Sequence, residues 1–273
     1  MPCTVTLLNQ KGGVGKTSSC FHLSVPLAKT GRRVLLIDND PQASLTQGFF
    51  GPDATRAIPP DRTIAAVYEP GAAPLPEALI RPTGVEGVAM IAGSEIATTF
   101  NKLPDAAWPE RQAGIRTLLA DLADDYDLVL IDCPPNLHLC SWAALVASNW
   151  IVIPVQAEDF GSQGLGPVLR AIQAVKLGDN PRLAVAGFLL TMFDRRLAVH
   201  LTYEAMLRQL YEGRVFTATI PRAKDFVEAV AARKPVGAYK PRSAAAKAVV
   251  DVAGELLARV GFVASLREEK GAA

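Results

Sequence analysis

No apolar run in the 273 residues approaches the ~18–20 that cross a membrane. The opening MPCTVTLLNQ has neither a basic segment nor a cleavage site, so it does not read as a signal peptide but as a strand. Cysteine is scarce. Cys3, Cys20, Cys133 and Cys140 include no C-x-x-C pair. That argues against zinc and iron–sulfur sites and for buried thiols in a reducing cytoplasm. The three histidines, His22, His138 and His200, show no ligand spacing. Internal repeats and low-complexity linkers are absent too, and a chain of this length is expected to form one domain with a sizeable core. Net charge is only +1, but unevenly spread: residues 181–247 carry twelve basic against five acidic side chains, +7, which leaves −6 elsewhere. The asymmetry fits an anionic partner for the C-terminal third, and fits equally well a solvated surface with local ion pairs.

What is present is alternation. Short Val/Ile/Leu-rich runs at 4–8, 34–37, 88–91, 128–131, 151–155, 185–190 and 215–220 read as strands covered on both faces. Helical patterns lie between them, at 17–30, ending at Gly31, and at 111–122 and 164–175. Pro26 is expected to kink or shorten the first helix. The expected fold is therefore α/β: a single P-loop domain with a mostly parallel, twisted sheet and helices on both faces. It is expected to occupy residues 1–265, with an irregular excursion at 51–82 and a frayed tail at 266–273.

The stretch NQKGGVGKTS, residues 9–18, carries the first chemistry. Gly12, Gly13 and Gly15 allow the backbone N–H groups to turn toward an anion, and a helix N-terminus adds partial positive charge. Lys16 is placed to reach terminal phosphates and Thr17 to hold Mg2+. The candidate nucleotide cradle is Lys11, Gly12, Gly13, Val14, Gly15, Lys16, Thr17 and Ser18. Gln10 stands where the usual first glycine would be, and Lys11 is an additional, early lysine. VLLIDNDPQ ends a strand with Asp38 and Asp40, and LVLIDCPP ends another with Asp132. Each aspartate alone reads equally as a cap or turn residue. Together, at the carboxyl ends of strands beside a glycine loop, they read as nucleotide- and Mg2+-site acids.

KGGVGKTS, LLIDNDPQASLT, DYDLVLIDCPPNL, IVIPVQAEDFGSQGL, TMFDRR and the segment TIPRAKDFVEAVAARKPVGAYKPRSAAAKA follow one another in this order. Together they resemble the ParA family of partition ATPases, within the deviant-Walker group that also contains MinD, over nearly the whole chain. The resemblance implies an ATP- and Mg2+-dependent ATPase that dimerises when ATP-bound, with slow, partner-stimulated hydrolysis. Lys11 would be the signature lysine, reaching across to the partner subunit's phosphates, while Lys16 serves its own nucleotide. Such a cation supplied in trans would stabilise charge on the γ-phosphate as an arginine finger does. Asp40 would position the attacking water, Asp38 and Asp132 would lie near Mg2+, and Met192, Pro221 and Arg222 would flank adenine. Glu158 and Asp159 would face the dimer seam or lie in a plain loop.

Family members of this type bind DNA without sequence preference. Arg195, Arg196, Arg222, Lys224, Arg233, Lys240 and Arg242 are the candidate contacts, with Asp225 standing where many relatives have arginine. The loop starts too early for an N-terminal helix-turn-helix domain, so a second, ParB-like or cargo-adaptor chain is expected to recognise the cargo on the nucleoid. Chromosome and plasmid partition and cargo positioning all remain open. The rival is a MinD-like ATPase that cycles on membranes, which needs a basic amphipathic C-terminal helix; LLARVGFVASLREEKGAA is not strongly basic.

Overall fold

The computed structural model describes residues 1–102, 108–157 and 165–262. Strands β1 (Cys3–Leu7), β2 (Val34–Asp38), β3 (Ile80–Pro82), β4 (Val88–Ile91), β5 (Leu128–Asp132), β6 (Trp150–Gln156) and β7 (Ala184–Thr191) form one sheet in the order β3-β4-β2-β5-β1-β6-β7. Every pairing is parallel except the antiparallel edge strand β3. The strands are apolar on both faces, as a sheet sandwiched between helices requires.

The helices are α1 (Lys16–Ala28), α2 (Ser44–Phe50), α3 (Pro52–Arg56), α4 (Pro76–Leu79), α5 (Trp108–Asp121), α6 (Leu139–Ala147), α7 (Leu165–Leu177), α8 (Ala198–Tyr211), α9 (Lys224–Ala231), α10 (Val236–Tyr239) and α11 (Ala244–Arg259). Strand alternation divides the core in two. Leu35, Ile37, Val129 and Ile131 pack toward α5, α6 and α7. Val34, Leu36, Leu128 and Leu130 pack toward α1, α2 and the C-terminal helices. Helix α1 ends at Ala28, two residues after Pro26, and Gly31 closes the turn at φ 81°. Because Pro26 sits in the last turn, its missing N–H costs one hydrogen bond and the helix is shortened rather than broken.

Two expectations need correction. Residues 215–220 do not form a strand. Phe216 donates to Phe188 O and Ile220 to Leu190 O, but the N–H groups of Thr217 and Ala218 between them donate to the Glu255 carboxylate of α11. That side chain takes the donors a ladder would need, so only isolated bridges survive. The excursion at 51–82 is likewise not without structure: it holds α3, α4, short 3-10 turns and β3, which pairs with β4. Pro82 is tolerated there because β3 lies at the sheet edge. The candidate tail at 266–273 lies outside the described residues.

Candidate functional site

The site forms at the carboxyl ends of β1, β2 and β5. Leu7 of β1 and Asp38 of β2 both pair with Asp132 of β5, so the two aspartates stand side by side where the glycine loop leaves the sheet. Alternation places both on the face toward α1. Gly13 and Gly15 adopt φ 76° and 84°, the left-handed region that lets this loop curl at no steric cost. Asn9 anchors the loop: its Nδ2 donates to Pro154 O (2.7 Å) and its Oδ1 accepts from the Lys11 N–H (3.0 Å). The other end is held by Thr191, whose hydroxyl donates to Val14 O (2.8 Å).

The two lysines differ in kind. Lys16 is 6 % exposed, and its ammonium donates to Asn9 O (3.0 Å) and Lys11 O (3.1 Å). Burial lowers its pKa, while the carboxylates of Asp132 and Asp40 push it back up. Lys11 lies exposed on the loop. Thr17 and Ser18, half-buried, begin α1 just behind it.

Asp38 is fully buried. Its Oδ2 accepts from the Thr46 N–H (2.7 Å) and hydroxyl (2.6 Å), and that hydroxyl accepts from the Gly93 N–H (2.8 Å). Burial nevertheless raises its pKa to about 7. Asp132 is also fully buried, and both of its carboxylate oxygens lack a hydrogen-bond partner among the described residues. Burial first, and the neighbouring Asp38 second, push its pKa well above the ordinary range. Asp40 is 8 % exposed, accepts from the Gln42 N–H (2.9 Å), and has a pKa raised by burial. Buried, orphaned carboxylate oxygens beside a phosphate cradle are what a cation would satisfy. No cluster of three metal-binding side chains forms among the described residues. The arrangement therefore suits Mg2+ held by Thr17 and phosphate, with Asp38 and Asp132 acting through water, since this ion keeps several waters.

Beside the loop opens a mainly apolar cavity of about 400 Å³, floored by Gly15, Ser18 and Ser19 and walled by Met192, Ile220, Pro221, Arg222, Phe226 and Val230. Its position next to the phosphate cradle and its apolar walls suit a nucleobase. It brings together the three sequence candidates Met192, Pro221 and Arg222. Met192 takes φ 52°, and Gln156 Nε2 donates to its sulfur (2.8 Å) and to Gly13 O (3.3 Å), tying cavity to loop. Thr46, Gly93, Gln156 and Thr191 were not singled out in the sequence. Thr46, Gln156 and Thr191 lie within the motif segments but carry no assigned role there, and Gly93, which follows the apolar run 88–92, lies outside them.

The basic candidates are more dispersed. Lys224, Arg233, Lys240 and Arg242 come from α9, α10 and the turns around them, elements that pack on one another. Arg195 is exposed in the loop after β7, and its neighbour Arg196 is paired with Asp194 (2.8 Å). Arg233 folds over Gly51 and donates to Phe50 O (3.4 Å), and Arg222 lines the cavity. Lys240 is ion-paired with Asp225 (2.9 Å) and with Glu228, which raise its pKa. The residue that departs from the family pattern thus holds one of the candidate cations. Glu158 and Asp159 lie outside the described residues. No helix among the described residues is long and apolar enough to cross a membrane.

Residues 3–185 match the AAA domain family. The chain is 36% identical over 259 residues to the chromosome-partitioning ATPase Soj of Thermus thermophilus, covering 94% of this chain and 96% of that protein. It is 34% identical over 258 residues to the chromosome partitioning protein ParA of Caulobacter vibrioides, covering 93% and 94%. Among solved structures it resembles the cobyrinic acid a,c-diamide synthase of Mycobacterium smegmatis with bound ATP analogue and magnesium, at TM-score 0.75, 29% identity and 93% coverage of each chain.

Proposed function

This chain belongs to the ParA/Soj family of chromosome-partitioning ATPases, and from that membership and the site geometry we propose that it is an ATP-gated dimer that binds DNA without regard to sequence. It is an ATPase, with ATP and Mg2+ as its cofactors. Lys16 holds the phosphates of its own nucleotide, Asp40 orients the attacking water, and Thr17 with Asp38 and Asp132 holds Mg2+. When bound, that ion neutralises charge on the β- and γ-phosphates. Met192, Pro221 and Arg222 enclose the adenine.

The observation that carries this reading is the contrast between the two lysines. Lys16 is buried with its ammonium against the loop's carbonyls, whereas Lys11, five residues earlier, lies exposed on the same loop. A cation there reaches a partner's triphosphate across a two-fold interface, so ATP binding and dimerisation become one equilibrium. The dimer unites two copies of the basic surface of α9 to α11, the nucleoid is its cytoplasmic location, and a ParB-like or cargo-adaptor chain stimulates turnover.

The test is binding of ATP–Mg2+-loaded protein to DNA of arbitrary sequence across a salt series. The logarithm of affinity should fall linearly with the logarithm of salt, with a slope that counts neutralised phosphates. A salt-indifferent affinity refutes the DNA assignment. ATP-dependent coating of anionic vesicles without DNA binding would favour the MinD-like alternative instead.

A further inference from the structure

Between Asp38 and Asp40 stands Asn39, and alternation turns it to the opposite face of the sheet, away from the nucleotide and toward α5 and α6. It is fully buried. Its N–H donates to Asp132 O (2.9 Å), its Nδ2 donates to Cys140 O in the first turn of α6 (2.7 Å), and its Oδ1 accepts from the Tyr68 hydroxyl (2.6 Å). Tyr68, also fully buried, ends the 3-10 turn Ile64–Tyr68 of the long excursion. The Cys140 N–H in turn donates to Asn101 Oδ1 (3.1 Å). A single bracket therefore joins the two strand ends that carry the site's carboxylates, the start of α6 and the excursion.

We propose that Tyr68 is a positioning residue for ATP hydrolysis: its hydroxyl, acting through Asn39, fixes the segment that carries Asp38 and Asp40. Asn39 is where the chain leaves the sheet. Its N–H makes the last bond to β5, and beyond it Asp40 is held, among the described residues, by its own N–H to Asp38 Oδ1 (3.4 Å) and by two turn contacts, Gln42 N–H to Asp40 Oδ1 (2.9 Å) and Ala43 N–H to Asp40 O (2.8 Å). The direction in which Asp40 departs thus depends on how firmly Asn39 is seated, together with the hold that Asp38 keeps on the Asp40 N–H. A tyrosine hydroxyl in a dry core spends its one donor on that seat. The inference rests on the reading of Asp40 as the residue that orients water.

Tyr68→Phe leaves Asn39 Oδ1 buried without its donor, and the double variant Asn39→Leu/Tyr68→Phe removes that orphaned acceptor while also removing the Nδ2 donor to Cys140 O. For Tyr68→Phe, kcat should fall by about tenfold, as expected of a small misplacement of a reacting group, with KM for ATP within about twofold of the parent. The double variant should not regain kcat, whatever part of the lost melting temperature it recovers once the orphaned acceptor is gone. Were both variants to keep a parental kcat while Tyr68→Phe alone melted lower, the bracket would be purely structural and the proposal overturned. An Asp40→Ala control separates the two levels. If it hydrolyses ATP normally, the reading of Asp40 fails and takes this proposal with it. If it is inactive while Tyr68→Phe turns over like the parent, only the role of Tyr68 fails.

Discussion

An alanine at Gly93 would put a methyl carbon 2.7 Å from Asp38 Cγ and 2.9 and 3.0 Å from its two oxygens. Asp38 has nowhere to retreat, because Thr46 holds Oδ2 through two hydrogen bonds and the Thr46 hydroxyl is itself held by the Gly93 N–H. The backbone at Gly93 is not in the left-handed region, so the whole effect is one of space. Overpacking a core position costs about 1–3 kcal/mol, and weakening a buried hydrogen bond costs about 1 kcal/mol more. The two give a combined cost of about 2–4 kcal/mol. For a chain of this size that corresponds to a melting temperature lower by roughly 4–7 °C. Melting of the ligand-free protein together with titration of ATP in the presence and absence of Mg2+ would measure it. Gly93→Ala should melt lower and lose Mg2+-dependent affinity. Gly12→Ala, whose added carbon meets nothing within 4 Å, should melt like the parent. A Gly93→Ala protein that melts within about 1 °C of the parent and binds Mg2+–ATP equally well would refute the claim that Asp38 is locked in place.

Two further outcomes follow from the same geometry. Asp38 holds its proton up to about pH 7 in the folded chain against an ordinary 3.8, because it is buried. Between those values the native state binds a proton the unfolded state has lost, so the contribution of Asp38 to ligand-free stability should decline as pH rises from about 4 to about 7 and be gone above, while Asp132, also raised by burial, adds to the decline. Melting from pH 5 to 8 should show this, and Asp38→Asn should flatten part of the decline. Releasing Lys240 by Asp225→Asn with Glu228→Gln, which also frees Lys224 from Glu228 (3.9 Å), should tighten DNA binding and steepen the log–log salt slope by about 0.9 for each additional phosphate that these two lysines neutralise. An unchanged slope would mean that Lys240 does not meet DNA.

The parts legible in the sequence are those whose signal is local. Val34–Asp38 and Leu128–Asp132 announce buried parallel strands by unbroken apolar composition, and their terminal aspartates mark the ligand-binding end. The glycine loop reads directly because its residues must take conformations that few side chains allow. What stayed hidden depends on distant partners. Residues 215–220 have strand composition, yet Glu255, some forty positions later, takes their N–H groups. Thr46 looks like any helix residue until Asp38 lies against it, and Tyr68 looks like ordinary core until its hydroxyl meets Asn39. Lys240 reads as a surface cation, while the fold brings two carboxylates to it.

The central claim is that Lys11 links ATP to dimerisation, and sizing in solution tests it most directly. With Asp40→Ala to slow hydrolysis, the chain should be monomeric with ADP and dimeric with ATP–Mg2+. Adding Lys11→Ala should leave it monomeric in both, though still able to bind ATP through Lys16. A Lys11→Ala/Asp40→Ala protein that dimerises with ATP as readily as Asp40→Ala alone would contradict the account.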